Sequence, residues 1–126
     1  MSKSINSTAA PHPVGGYSQA FEIQGAQRIL FVSGQVPETR DGHVPADFRS
    51  QAKLVWSNLL AQLEAASMSV ENLAKVTIFL SSREHATPNR EVRTEFLGTR
   101  APALTVIIAG IFDPRWLLEI EAYAVA

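Results

Sequence analysis

The stretch Leu117-Leu118-Glu119-Ile120-Glu121-Ala122-Tyr123-Ala124-Val125 decides the fold. Side chains alternate between the two faces of a strand, so this stretch divides into two sets. One set is apolar throughout and predicts core: Leu118, Ile120, Ala122 and Ala124. The other combines two acids with apolar residues: Leu117, Glu119, Glu121, Tyr123 and Val125. A solvated face is rarely so apolar, and a buried face rarely holds two unpaired acids. The mixed face therefore predicts the wall of a wet pocket or a subunit contact.

Four further strands precede this stretch. Residues 103–109 form an apolar strand, followed by turn chemistry at Gly110 and at Asp113-Pro114. Residues 73–80 are rich in β-branched and aromatic side chains, which favour a strand. Residues 20–23 and 28–32 predict a hairpin that turns at residues 24–27.

Two helices are predicted. Apolar residues recur every three or four positions between Asp47 and Met68 and give one long helix with a single apolar stripe. The stripe contains Phe48, Ala52, Val55, Leu59, Leu63 and Ala66. A short helix begins at Thr87 and ends at Gly98, and its spacing turns Asn89 toward the protein body. Asn89 is either a pocket residue or the source of a local turn hydrogen bond.

The predicted order ββ-α-β-α-ββ indicates an α+β fold with a mixed sheet covered on one side by two helices, in one domain spanning residues 1–126. Two helices cover only one face of a sheet. The strands at 29–32, 73–80 and 103–109 are nevertheless apolar on both faces, a pattern of burial on both sides. We infer that the open face packs against other copies, giving a homo-oligomer with pockets at its seams.

Composition narrows the classes of function. The net charge is −1 and the arginines are scattered, which argues against nucleic acid as a partner. There is no cysteine, and no apolar run approaches the ~18–20 residues of a membrane helix. The histidines His12, His43 and His85 lack ligand spacing, so no metal site is predicted. A cytoplasmic protein without membrane or nucleic-acid partners is expected.

Motifs for nucleotide binding, zinc proteases and nucleophile elbows are absent from the sequence. Ser33 beside Gly34 has no histidine near it in sequence, which favours a hydrogen-bonding role over a nucleophilic one. Lys75 lies inside a strand, where a side chain extending to the sheet edge is favoured over a Schiff-base lysine.

Several segments together resemble the RidA (YjgF) family of reactive-intermediate deaminases, in register from about residue 10 to the C-terminus. The segments are Gly15-Gly16-Tyr17-Ser18-Gln19-Ala20, Val32-Ser33-Gly34-Gln35-Val36-Pro37, Gln51 with Asn58 and Leu63-Glu64-Ala65-Ala66, Lys75-Val76-Thr77-Ile78-Phe79-Leu80, Asn89, and Glu119-Ile120-Glu121-Ala122. The resemblance implies a chorismate-mutase-like fold, a homotrimer with ligand pockets between subunits, and cofactor-free hydrolysis of enamines or imines. It also implies that Glu119 and Tyr17 place and activate the attacking water.

The same resemblance implies substrate contacts from Ser33 and Asn89 and from the strand residues Leu104, Thr105 and Val106. Glu121, two residues beyond Glu119 on the same face, is the alternative working carboxylate.

The departures from the family pattern concern substrate binding. Imine-deaminating members carry an arginine clamp for the substrate carboxylate where this chain has Leu104. Leaving a buried carboxylate unpaired costs roughly 2–5 kcal/mol, or roughly 30-fold to several thousandfold in affinity. The usual 2-imino acids are therefore expected to be poor ligands, unless Arg100 or Arg115 substitutes. Gly16 stands where the family often has proline, and Ser67 where it often has a helix-ending glycine.

The sequence is compatible with two functions. The first is a hydrolase for an enamine or imine without an α-carboxylate anchor. The second is a non-enzymatic trimer that binds a small ligand or a protein partner. Ribonuclease activity is disfavoured because the sequence has neither a basic patch nor a histidine pair.

Overall fold

The computed structural model describes residues 2–126, and its elements follow the predicted order with one additional strand. In chain order they are β1 (Ser2–Ile5), β2 (Ala20–Ile23), β3 (Ile29–Gln35), α1 (Phe48–Ala65), β4 (Leu73–Leu80), α2 (Ala86–Leu97), β5 (Ala103–Ile108) and β6 (Leu118–Val125). Short 3-10 turns at Val70–Asn72 and Arg83–His85 lead into β4 and α2. The two helices pack together, and α1 lies on the sheet, so the α+β class is confirmed.

The stretch that decides the fold lies in the middle of a four-stranded sheet of order β3-β6-β4-β5. Strand β6 is antiparallel to both β3 and β4, whereas β5 is parallel to β4 and forms an edge. The predicted alternation in β6 is confirmed, since its core face is buried: Leu118, Ile120, Ala122 and Ala124. These side chains meet the buried stripe of α1, which includes Val55, Leu59 and Leu63.

The predicted hairpin between residues 20–23 and 28–32 is wrong. Strand β2 instead pairs with β1, and β3 pairs with β6, where Ile29 lies opposite Val125. Pairing with β6 places Val32 in the core, and the backbone N–H groups of Gln27 and Arg28 both donate to Ala126 O. The N-terminal strand β1 pairs with β2. Its polar Ser-Lys-Ser sequence does not have the apolar alternation that predicts a strand.

The open face of the sheet carries large apolar side chains. Phe31 is 74% exposed within the chain, and its ring lies 5.2 Å from that of Tyr123. Ile29 and Ile107 are also exposed. This is the face from which an oligomer was inferred, and the oligomer itself stays a prediction. Within residues 2–126, neither helix is long and apolar enough to cross a membrane.

Helix α1 ends at Ala65, earlier than the predicted Met68, because Ser67 takes a left-handed conformation with φ of 57°. Met68 N donates to Leu63 O and Ser67 N donates to Glu64 O, which is the Schellman arrangement. Glycine suits that position best, because a side chain there is sterically strained.

We expect Ser67→Gly to raise the free energy of unfolding by about 1 kcal/mol, since it relieves this left-handed strain. Urea denaturation measures the change. The matched control is Ser57→Gly at an exposed position within α1, where glycine is expected to destabilise by about 0.5 kcal/mol. Destabilisation by both substitutions would contradict the interpretation.

Candidate functional site

Glu119 lies on the open face of β6, in space left by a glycine of the neighbouring strand. Strand β3 has a bulge between Val32 and Gln35, and this irregularity brings Gly34 against Glu119. A Cβ atom on Gly34 would overlap Glu119 Oε2 and lie 2.7 Å from Glu119 Cδ. The absence of a side chain at Gly34 therefore sets the position of the carboxylate.

The surroundings of Glu119 favour its protonated form. Burial raises the pKa of Glu119, and repulsion from the nearby Glu121 carboxylate raises it further. Across the sheet, Glu119 lies opposite Phe79, and Glu121 lies opposite Thr77. Raising the pKa of a carboxyl group favours its use as both proton donor and proton acceptor, which is what acid–base chemistry requires.

Two amides of α1 fix the loops on either side of this carboxylate. Gln51 is 1% exposed, donates to Pro45 O and Arg115 O, and accepts from Leu117 N at 2.8 Å. Asn58 donates to Val36 O and Glu38 O. Gln51 therefore fixes the loop that leads into β6, and Asn58 fixes the segment that follows Gly34.

A second group of residues lies at the edge strand β5. Tyr17, Leu104 and Val106 line a cleft of about 280 Å³ together with Val14, Arg90 and Arg93. The cleft forms because Ser18 bridges to Ala103 in parallel and donates its N–H to Pro102 O. This bridge places Tyr17 beside the start of β5, although the two are far apart in sequence.

The turn that carries Tyr17 depends on glycine. Gly15 has φ of 104° and Gly16 has φ of 76°. Proline is restricted to φ near −65°, so the proline often found at this position in the family does not fit this turn. Gly16 therefore allows the positive φ that this turn requires.

Within one chain the remaining predicted residues do not gather in this cleft. Thr105 faces the opposite side of β5 from Leu104 and accepts a hydrogen bond from Lys75 Nζ at 2.7 Å. Ser33 is exposed on β3 beside Gly34. Asn89 is 3% exposed, as its inward orientation predicted, and its Oδ1 has no hydrogen-bond partner among residues 2–126.

The structure places the two arginines considered as substitutes away from Leu104. Arg100 donates to Leu73 O, and its guanidinium lies 4.8 Å from the Phe21 ring centroid. Arg115 pairs with Asp113 at 2.9 Å. The arginines that do line the cleft are Arg90 and Arg93 of α2. Sequence reasoning missed them, although Arg93 lies one helical turn after the inward-facing Asn89 and so shares its face.

Comparison with known proteins identifies the family. A family model described as endoribonuclease L-PSP matches residues 7–126, and this description covers the RidA proteins. The chain belongs to the RidA family. A RutC family protein of Pyrococcus horikoshii is 35% identical over 126 residues and covers 98% of each chain.

Two further comparisons agree with the RidA assignment. The 2-iminobutanoate/2-iminopropanoate deaminase of Escherichia coli is 33% identical over 129 residues, which is 99% of this chain and 98% of that protein. A Rid-family structure from Yersinia pestis covers 99% of this chain and 98% of its own, with a TM-score of 0.87 and 24% identity. The predicted RidA-like fold is thereby confirmed.

Proposed function

We propose that this RidA-family protein hydrolyses a reactive enamine or imine to a carbonyl compound and ammonia, with Glu119 as the acid–base group. The observation that carries the proposal is the Glu119 carboxyl, held against Gly34 on the open face of the sheet with a raised pKa. Water attack on C=N needs a base to take a proton from water and an acid to protonate nitrogen. One carboxyl group that changes protonation state supplies both, and the Tyr17 hydroxyl orients the water.

The complete site is proposed to form between subunits. Glu119 lies on the open face of the sheet, whereas Tyr17 lies in the cleft at the β5 edge. Docking the edge cleft of one copy on the open face of the next is a head-to-tail contact, and such a contact forms a ring when the rotation between copies closes. A homotrimer of this kind would bury Phe31 and Tyr123 and bring Ser33, Asn89 and Thr105 to the same pocket.

The substrate is proposed to differ from the small 2-imino acids named for the Escherichia coli relative. Leu104 supplies no charge where the family places its carboxylate-binding arginine. The wall formed by Leu104 and Val106 in the edge cleft suits an apolar portion of a ligand.

The test is deaminase activity on 2-imino acids generated in situ by an amino-acid oxidase, for the wild type, Leu104→Arg and Leu104→Arg/Glu119→Gln. We expect weak activity for the wild type and a gain for Leu104→Arg that disappears when Glu119 is replaced. High wild-type activity would refute the missing-anchor interpretation. If none of the three proteins hydrolyses 2-imino acids but ligand binding is intact, a non-enzymatic binding module is favoured.

The pH dependence tests the coupling between the two carboxylates. Glu121→Gln removes the repulsion that raises the pKa of Glu119, so we expect the acidic limb of kcat/KM to move to lower pH. The shift is partial because burial, the larger cause, is unchanged. Glu95→Gln on the exposed surface of α2 is the control and should leave the profile in place. A limb that stays fixed or moves upward in Glu121→Gln would argue against Glu119 as the titrating group.

The histidine positions give no support to ribonuclease chemistry, despite the name attached to the family model. His12 and His43 are in exposed loops, while His85 stacks on Phe48 with ring centroids 4.5 Å apart. Acid–base cleavage of RNA by a histidine pair therefore has no counterpart in the placement of these three side chains.

A further inference from the structure

Two arginines of α2 converge on the turn that carries Tyr17. Arg93 is 4% exposed, and its Nη2 donates to Gly15 O at 2.5 Å. The Arg90 guanidinium lies against the same turn, since a Cβ atom on Gly15 would be 3.0 Å from Arg90 Nε. Because the two residues are three apart on one helix, they share a face. Both line the edge cleft beside Leu104.

Neither cation is neutralised within the described part of the chain. The ion pairs there are Arg49 with Glu91 and Arg115 with Asp113. Buried arginines are almost always paired, and an unpaired buried charge is unfavourable. Burial lowers the pKa of Arg93, and the neighbouring Arg90 charge lowers it further. Arg90 itself is exposed, so the buried charge without an ion-pair partner is that of Arg93.

We propose that Arg90 and Arg93 form an oxyanion subsite, which binds a carboxylate or phosphate group of the ligand in place of an arginine at position 104. Arg93 uses one of its five N–H donors on Gly15 O, and the Arg90 side chain makes no hydrogen bond within residues 2–126. Guanidinium groups bind such oxyanions through paired, charge-assisted hydrogen bonds.

The identification of this anion as part of the substrate rests on the proposed function. Because Arg90 and Arg93 are on α2, they contact the anion from the helix side of the cleft. An arginine at position 104 would contact it from β5 instead. Leu104 then contacts the apolar part of the same ligand. The substrate class is therefore an imine or enamine that carries an acidic group and an apolar portion larger than that of the small 2-imino acids, for which weak wild-type activity is expected.

A structural role for Arg93 is the competing explanation, because its hydrogen bond to Gly15 O supports the Tyr17 turn. Arg90 separates the two explanations, since its guanidinium has no hydrogen bond or ion pair to lose in the described residues. Arg90→Gln should fold normally and weaken anion binding. Arg93→Lys retains the charge and removes the planar fork, so it should also weaken binding.

Calorimetric titration of the full-length protein with pyruvate, 2-oxobutanoate and inorganic phosphate tests the subsite. We expect Arg90→Gln to weaken binding at least about tenfold, as for loss of a hydrogen bond to a charged group. Arg83→Gln, at an exposed arginine outside the cleft, removes the same charge and should bind as the wild type does. Tighter binding of the keto acids than of phosphate would identify a carboxylate subsite, and the reverse order a phosphate subsite. Equal affinities in Arg90→Gln and Arg83→Gln, or no binding of any probe by the wild type, would overturn the proposal.

Binding and turnover distinguish this inference from the proposed function. If the protein hydrolyses no imine yet binds these anions in an Arg90-dependent way, the subsite stands and the hydrolase proposal fails. If it hydrolyses acidic imines with the same KM in the wild type and Arg90→Gln, the hydrolase proposal stands and the subsite is wrong. If both are correct, Arg90→Gln should raise KM for acidic imines and leave kcat nearly unchanged.

Discussion

Replacing Glu119 by glutamine is expected to lower imine turnover by roughly 10²–10⁴-fold, the usual contribution of a positioned acid–base group. Glutamine retains the shape and a hydrogen-bonding oxygen but exchanges no proton. Steady-state ammonia release measures the effect, with the oligomeric state checked by light scattering. Turnover comparable to that of the wild type would leave Glu119 as a packing residue and exclude it as the acid–base group.

The same substitution is expected to stabilise the fold at neutral pH. Because the folded-state pKa of Glu119 is raised, its contribution to stability is fully present below its unfolded pKa and is lost as pH rises through the folded pKa. Glutamine avoids that loss because it does not ionise. The Tm of Glu119→Gln should therefore exceed that of the wild type at about pH 7.5 and match it at about pH 3.5.

The exposed Glu95→Gln is the control for this stability difference, since it removes a carboxylate from the surface of α2. A Tm gain of equal size in both variants would indicate a general charge effect. A gain confined to Glu119→Gln and to neutral pH would support a site that gives up stability for reactivity.

The two faces of strand β6 could be predicted because they depend only on the alternation of neighbouring residues. Alternation along residues 117–125 was sufficient to assign Ile120 to the core and Glu119 to the opposite face, and both assignments agree with the structure. Helical spacing likewise predicted the buried apolar stripe of α1 and the inward orientation of Asn89. The interpretation of Leu104 as the replacement of an arginine rests on the family resemblance alone and stays a prediction.

The features that sequence reasoning missed depend on contacts between distant segments. Strand β1 has a polar pattern, and its pairing with β2 is not encoded in local periodicity. Arg90 and Arg93 reach Tyr17 because the Ser18–Ala103 bridge docks the N-terminal turn beside β5. Arg100 and Arg115 are the nearest arginines on either side of Leu104 in sequence, whereas the arginines that line the cleft with it, Arg90 and Arg93, lie on α2.

Gly34→Ala is expected to reduce turnover about 100-fold or more through displacement of Glu119, as is typical when a catalytic group moves by about 1 Å. The added Cβ atom overlaps the carboxyl end of a flexible side chain, so we expect the carboxylate to move and the strand to persist. Gly34 does not have positive φ, which means that alanine introduces no backbone strain there. Activity and urea denaturation of the same sample separate the two effects.

Gly110→Ala is the matched control, because its Cβ atom meets nothing within 4 Å and its φ is not positive. We expect wild-type activity from it. The double variant Gly34→Ala/Glu119→Gln provides the decisive comparison. If Gly34 acts only by leaving room for the Glu119 carboxylate, the double variant should be no less active than Glu119→Gln alone, since residues that act as a unit are non-additive. Additive losses would mean that Gly34 contributes by another route, such as backbone contact with the ligand, and that the position of Glu119 does not depend on it.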